Sequence, residues 1–333
     1  MPSILGWLFY YVVKEKEELK MKKYKKWLAP IAISLVLAGC ANEKTDENAK
    51  NDSTSTSNES SYTVQDDRGV DVTFETVPEK VISLQPSNTE ILFELGVGDK
   101  VIGVTDYDTY PEQAKEIERV SDTLTVNNER VIELNPDVIF AYSIGDDAQV
   151  EQLESVGMKV FVIDAASTIE DVYGDIKQIS EVMDVEEEGQ KVVDTIQSKI
   201  TAVQEKTANI DDKKKVYFEI SSAPDIWSIG SGTFQQELIT SAGVENLYGD
   251  QQGWFAVSEE DLIHRNPEAI ITTVNVEDPV TEILSRSGWN VITAVQKKEV
   301  YYLNADIVDR PGPRIGEAVE LIAKSIYPDL FDE

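Results

Sequence analysis

Histidine and cysteine are almost absent, with one of each in 333 residues. A zinc or manganese site built from several imidazoles therefore has no ligands to use. A single thiol forms no intrachain disulfide and argues against thiol catalysis. Basic residues are scarce: 30 Lys and Arg stand against 62 Asp and Glu, for a formal net charge of −32. Phosphate backbones are held by clustered Lys and Arg, so no nucleic-acid partner is expected. The charge fits a well-solvated exterior, suited to salty or alkaline surroundings. Catalytic signatures are missing too: there is no HExxH, no GxSxG and no glycine-rich phosphate loop. Carboxylates are so numerous that no pair marks a glycosidase-type site. What is present is a 41% share of hydrophobic residues. That share excludes a wholly disordered chain, and the length allows two domains with separate cores.

The first forty residues read as a targeting signal. Lys22, Lys23, Lys25 and Lys26 precede an apolar run from Trp27 to Leu37. The run is too short to span a membrane, and its flanks are those of a secretory signal. It ends in Leu37-Ala38-Gly39-Cys40, which resembles the lipobox of bacterial lipoproteins. In that reading Cys40 receives the lipid. Residues 1–20, before Met21, are expected to be an upstream extension of the 1–39 signal segment. Residues 40–61 carry no aromatic or large aliphatic side chain and read as a flexible tether.

The body alternates strand and helix. "YTVQDDRGVDVTFE" predicts a hairpin turning at Asp67-Arg68-Gly69. "EKVISLQ" predicts a buried strand. Ser87-Asn88-Thr89-Glu90 reads as a capping box, with Ser87 as N-cap. Further strand and helix patterns continue to Asp164, and such alternation means a parallel, doubly wound α/β lobe over 62–168. Residues 169–210 form a linking helical segment. Val185, Val192, Val193, Ile196, Ile200 and Val203 recur at three-and-four spacing there, predicting one long amphipathic helix. The α/β pattern then restarts over 211–333. "ERVIELNPDVI" from Glu129 is matched by "EDLIHRNPEAI" from Glu260. The expected fold is two doubly wound lobes, related by a pseudo-twofold and joined by a rigid helix.

Ligands of doubly wound lobes lie at the C-terminal ends of strands, and with two lobes the cleft lies between them. Loops at those ends carry Gln85, Tyr107 and Tyr110 in the first lobe. In the second they carry Trp227, Trp254, Phe255, Arg310 and Arg314. Aromatic rings and arginines of this kind suit a large flat or chelated ligand. His264 sits on the repeated short helix, where the first copy has Glu133, and is expected at the surface.

The lipobox, "VISLQPSNTEILFELGVGDKVIGVT", "YPEQAK", "NNERVIELNPDVI" and "RPGPRI" together resemble the solute-binding proteins of the iron-chelate and vitamin B12 class of ABC importers. "PSNTE" and Tyr-Pro-x-x-Ala are most similar to the cobalamin-binding members. The resemblance implies two α/β lobes on one long helix, with little lobe movement. It also implies that Glu129 and Glu260 meet arginines of a permease dimer served by an ATPase. By position, Tyr107 and Trp254 would line the cleft. Cobalamin binders carry another aromatic shortly before the first-lobe glutamate, and "SDTLTVN" has none, so ferric siderophore and haem stay open as ligands. Arg310 and Arg314 would suit an anionic siderophore or haem propionates. The expectation is a monomeric, lipid-anchored receptor at the extracytoplasmic face of the bacterial cell membrane, with no cofactor, no bound metal ion and no enzymatic activity. A chelatase-like enzyme and an anchored adhesin or sensor are the rival classes. The first needs a titratable metal-handling group in the cleft, and the second has no need of two symmetric glutamates.

Overall fold

The computed structural model describes residues 61–122, 125–143 and 148–332. The expected signal sequence, Cys40 and nearly all of the tether lie outside the described residues. The chain enters through the hairpin β1 (Tyr62–Gln65) and β2 (Asp71–Phe74). Asp66 closes its turn by accepting the Arg68 and Val70 amides, each at 3.0 Å. Gly69, at φ 77, supplies the left-handed residue there. The Tyr62 ring stacks on Phe74, and its hydroxyl donates to the Val182 carbonyl at 2.6 Å.

The first lobe contains β3 (Val81–Ser83), α1 (Pro86–Glu94), β4 (Val101–Thr105), β5 (Arg119–Ser121), α2 (Asn128–Leu134), β6 (Val138–Ser143), α3 (Ala148–Ser155) and β7 (Val160–Asp164). Its sheet runs β5-β4-β3-β6-β7, parallel throughout. Val81, Ile82 and Ser83 of the central strand are fully buried. A parallel strand covered on both faces needs such a continuous buried run.

Two helices follow, α4 (Ile169–Val182) and α5 (Glu186–Thr207). The second lobe then contains β8 (Lys215–Ser221), β9 (Trp227–Ile229), α6 (Phe234–Ser241), β10 (Glu245–Asn246), β11 (Trp254–Ala256), α7 (Glu259–Arg265), β12 (Ala269–Thr272), α8 (Pro279–Leu284), α9 (Thr293–Lys297), β13 (Val300–Tyr302), α10 (Ala305–Val308) and α11 (Ile315–Ile326). Its sheet runs β11-β9-β8-β12-β13, with β10 also parallel to β8.

The repeat seen in the sequence is a repeat of structure. α1 and α6 end identically: Gly96 and Gly243 take positive φ of 79 and 77. Val97 then donates back to Leu92 at 3.0 Å, and Val244 to Ile239 at 3.1 Å. Both are Schellman closures. The two short helices also match. α2 is capped by the Asn127 side chain and α7 by the Ser258 side chain, and both end on a left-handed asparagine, Asn135 and Asn266.

Three features differ from the sequence expectation. The second sheet is not purely parallel: β9 is antiparallel to β8 and to β11. Only Ser222 to Ile226 separate β8 from β9, too few residues for a parallel crossover, so the chain turns straight back. The expected long helix forms as α5, but the linking segment holds a second helix, α4, ahead of it, and Asp184 at φ 56 separates the two. Third, α1 starts at Pro86, with Gln85 as N-cap and no side-chain cap. Proline is preset for the first helical turn, and this shifts the start ahead of Ser87. No capping box forms, and the Glu90 carboxylate is free to turn elsewhere.

α5 spans about 33 Å at 1.5 Å per residue. Val193, Ile196, Ile200 and Val203 make its buried stripe. One apolar cluster runs from Val81 and Phe140 in the first lobe, through Ile176, Ile179 and Val193, to Val216, Ile271 and Ile322 in the second. A core shared in this way fastens both lobes to the linking helices. Each lobe has a second, private cluster, which includes Val131 of α2 in one lobe and Leu262 of α7 in the other.

Asp175 of α4 is only 8% exposed. Burial pushes its carboxyl up to about 8, and the nearby Asp67, Asp171 and Asp164 add to the rise. The folded state therefore holds this proton more tightly than the unfolded chain. The stabilisation is complete below the ordinary carboxylate range near pH 4 and is lost as pH rises towards 8. A difference of that size has a ceiling of roughly 5–6 kcal/mol, which water entry and relaxation reduce to a few. Asp175→Asn should flatten this slope and stabilise the protein at pH 8. Urea unfolding of both proteins between pH 5 and 9 checks this, and parallel pH profiles would refute it.

Candidate functional site

The loops at the C-terminal ends of the strands meet between the lobes. In the first lobe, β3 leads into Leu84-Gln85. Gln85 is buried, and its carbonyl accepts the Ser83 hydroxyl at 3.0 Å. After β4 the chain folds around Asp108. That carboxylate is fully buried and accepts the Thr105 amide at 2.8 Å and the Thr105 hydroxyl at 2.6 Å. Burial raises its pKa, opposed by these hydrogen bonds. The turn leaves the rings of Tyr107 and Tyr110 outside, 37% and 45% exposed.

The second lobe answers with the segment after β13. Arg310 donates to Glu90 Oε1 at 2.6 Å, to Asp306 Oδ1 at 2.9 Å and to the Tyr107 carbonyl at 3.4 Å. Arg314 grips both Glu90 oxygens, at 2.8 and 2.7 Å, and its guanidinium lies 4.1 Å from the Tyr110 ring centre. Thr109 donates to Asp306 at 2.8 Å. Glu90 itself is 3% exposed. Two arginines of one lobe thus converge on one buried carboxylate of the other. Arg310 and Arg314 were expected to offer their charge to a ligand; the structure commits both to internal acids instead. Glu90, Asp306 and Asp108 were not anticipated from sequence. The signal available was an acid in "PSNTE" together with two arginines in "RPGPR", but 220 and more residues separate them.

Trp227 and Trp254 sit on the antiparallel edge of the second sheet. Trp227 pairs with Ala256 and Trp254 with Ile229. Cross-strand partners share a face, so both tryptophans lie on the same side of the ribbon. Each is partly buried and packs against the core shared by the lobes. Phe255 points the other way, with its ring 5.0 Å from that of Tyr248, and belongs to the second lobe's private cluster. Next to Arg310 in sequence, buried Asp309 accepts the Gln235 amide at 3.1 Å. Burial pushes Asp309 up to about 6, eased by Thr273 and Gln235.

Glu129 and Glu260 occupy the first turns of α2 and α7, both exposed. Their neighbours are committed elsewhere. Arg130 binds Glu118 and Glu133. Glu259 accepts the Trp289 indole at 2.7 Å, and Asp261 accepts Arg265 at 2.8 Å. Among the described residues, Glu129 and Glu260 alone of these acids keep carboxylates with no partner. First-turn position explains an acid there; it does not explain why the same one is left uncommitted in both lobes.

His264 is exposed and lies on the rim of a cavity of about 620 Å³ with Lys213, Lys215 and Arg265. That cavity opens at the N-terminal end of β8, the end away from the inter-lobe loops, so the loops rather than this hollow define the candidate site. Among the described residues, no group of three His, Cys, Asp or Glu is placed to hold a metal ion.

Comparison with known proteins agrees with this geometry. Residues 81–307 match the family model described as periplasmic binding protein. An ABC transporter substrate-binding lipoprotein, YvrC, of Bacillus subtilis (strain 168) is 38% identical over 312 residues, covering 92% of this chain and 98% of that one. The vitamin B12-binding protein of Vibrio campbellii is 32% identical over 257 residues, covering 75% of this chain and 90% of that one. A possible iron-binding (periplasmic solute-binding) protein of Staphylococcus epidermidis superposes with a TM-score of 0.69 at 32% identity, covering 76% of this chain and 100% of that one. Two α/β lobes on a long helix, loops facing across the junction and these relatives lead to one conclusion: the chain belongs to the periplasmic binding protein family.

Proposed function

We propose that this chain is the extracytoplasmic receptor of an ABC importer, anchored to the bacterial cell membrane through a lipid on Cys40. Acting as a monomer, it captures a metal-chelate cofactor, cobalamin or a related corrinoid, and delivers it to a permease dimer and its ATPase. It needs no chemistry of its own. One observation carries the choice of ligand. The loops offer the rings of Tyr107, Tyr110, Trp227 and Trp254, while both arginines of the facing loop are already answered by acids. That suits a large, flat, uncharged chelate held by stacking. The relatives named vitamin B12-binding proteins point the same way.

A ferric siderophore or haem is the second reading, favoured by the relative described as possibly iron-binding. Tryptophan-fluorescence titration against cyanocobalamin, hemin and a panel of ferric siderophores separates the readings. Tightest binding to an anionic chelate would overturn the corrinoid assignment. Trp254→Ala should weaken binding of the preferred ligand roughly ten- to thirtyfold, the scale of an anchoring aromatic. Unchanged affinity would return Trp254 to a purely packing role.

Glu129 and Glu260 are the proposed docking residues. Each lobe presents one uncommitted carboxylate at the same place on its short helix, which suits a permease with two matching halves.

A further inference from the structure

We infer that Glu90 sets the charge selectivity of the cleft, an inference that rests on the ligand site lying between the lobes as proposed above. The argument is one of charge balance at close range. Glu90 and Asp306 stand against Arg310 and Arg314 with every charge matched within hydrogen-bond distance. Glu90 is 3% exposed, so its charge is poorly screened and acts on both guanidinium groups. Both grips on Glu90 are short and charge-assisted, and the Arg314 grip is bidentate, the strong class of such contacts. Arg314 is further held by the Asp306 carbonyl at 2.7 Å and the Tyr110 ring. An incoming carboxylate or catecholate would have to displace an acid already in place. Asp108, buried behind the tyrosine turn, adds another carboxyl beside that path. The nearby Arg119 is held in place by the carbonyls of Thr105 and Asp108, which fix its guanidinium on this turn without neutralising its charge.

The consequence is a cleft whose two facing arginines are present but masked. A neutral, amide-bearing chelate enters without disturbing them. A polyanion such as haem, with two propionates, is rejected by the unpaired carboxylate it would create. Glu90→Gln keeps the shape and one acceptor oxygen but removes the masking charge.

The test measures affinity for cyanocobalamin and for hemin in wild type, Glu90→Gln and Arg310→Gln. The hemin-to-cyanocobalamin affinity ratio should rise about tenfold or more in Glu90→Gln, the effect of one poorly screened charge at close range. It should fall in Arg310→Gln. Raised salt should shrink both changes. If Glu90→Gln lowers affinity for both probes equally together with the melting temperature, Glu90 is only a staple between lobes and the inference fails. An unmoved ratio with an unmoved melting temperature also refutes it. The ratio is compared between variants, so it answers separately from the ligand assignment. Wild type preferring hemin would sink the corrinoid reading, while the direction of the Glu90→Gln change would still decide the role of Glu90.

Discussion

Cells carrying Glu129→Ala together with Glu260→Ala should lose ligand uptake, while the purified variant binds ligand as tightly as wild type. The two carboxylates are exposed and free of internal partners, so removing them leaves no buried charge and costs the fold little. Close charge pairs across an interface couple by roughly 1.5–7 kcal/mol, so losing two weakens docking by on the order of a hundredfold or more. Each single variant should be intermediate. Glu129→Gln with Glu260→Gln should fail like the alanines, since the missing element is charge. The controls on the same helices are Glu133 and Asp261, which are already bound to Arg130 and Arg265. Their removal should leave transport largely intact. A double variant that binds ligand poorly in solution would move the glutamates from the docking face into the binding site.

Arg286→Ala should destabilise the second lobe strongly, by about 3–5 kcal/mol. Arg286 grips both oxygens of Glu219, at 2.6 and 2.8 Å, and Glu219 is fully buried. Tyr217 donates to the same carboxylate at 3.2 Å, and the guanidinium lies 4.5 Å from the Trp289 ring centre. Burial holds Glu219 above the ordinary carboxylate range even with Arg286 beside it. Removing the arginine leaves that carboxyl without its cation. The cost is therefore the desolvation of an orphaned charge rather than the worth of the pair. Glu219→Leu combined with Arg286→Met should lose much less, because apolar groups of similar volume replace a buried pair cheaply. Urea denaturation of the single and double variants decides the point. A loss under about 1 kcal/mol in Arg286→Ala would mean the pair is effectively solvated.

Most of the architecture is legible in the sequence because its causes are local. The turn at Asp67-Arg68-Gly69, the stops at Gly96 and Gly243, and the caps at Asn127 and Ser258 are each set by a few adjacent residues. Where local signals compete, reading fails by small steps. Ser87 is a good N-cap, but Pro86 one place earlier starts the helix. In the linking segment the apolar spacing from Val185 to Val203 finds α5 but not α4 ahead of it.

The candidate site is legible only in part. Tyr107, Trp227 and Trp254 are marked by their places in loops and edges after strands. Nothing in the chain marks Phe255 as facing away from Trp254; that follows from strand alternation once β9 and β11 pair.

The sequence by itself therefore determined the two-lobed α/β plan, its internal repeat and the presence of one glutamate in each short helix. Periodicity, capping and turn chemistry act within a few residues of one another. Tertiary structure alone decided which charges remain available. Glu90 meets Arg310 and Arg314 only because the lobes are set face to face on a shared core, and Glu219 meets Arg286 only inside the second lobe. Whether an arginine is offered to a ligand or already spent depends on a partner more than 200 residues away. No spacing along the chain encodes that meeting.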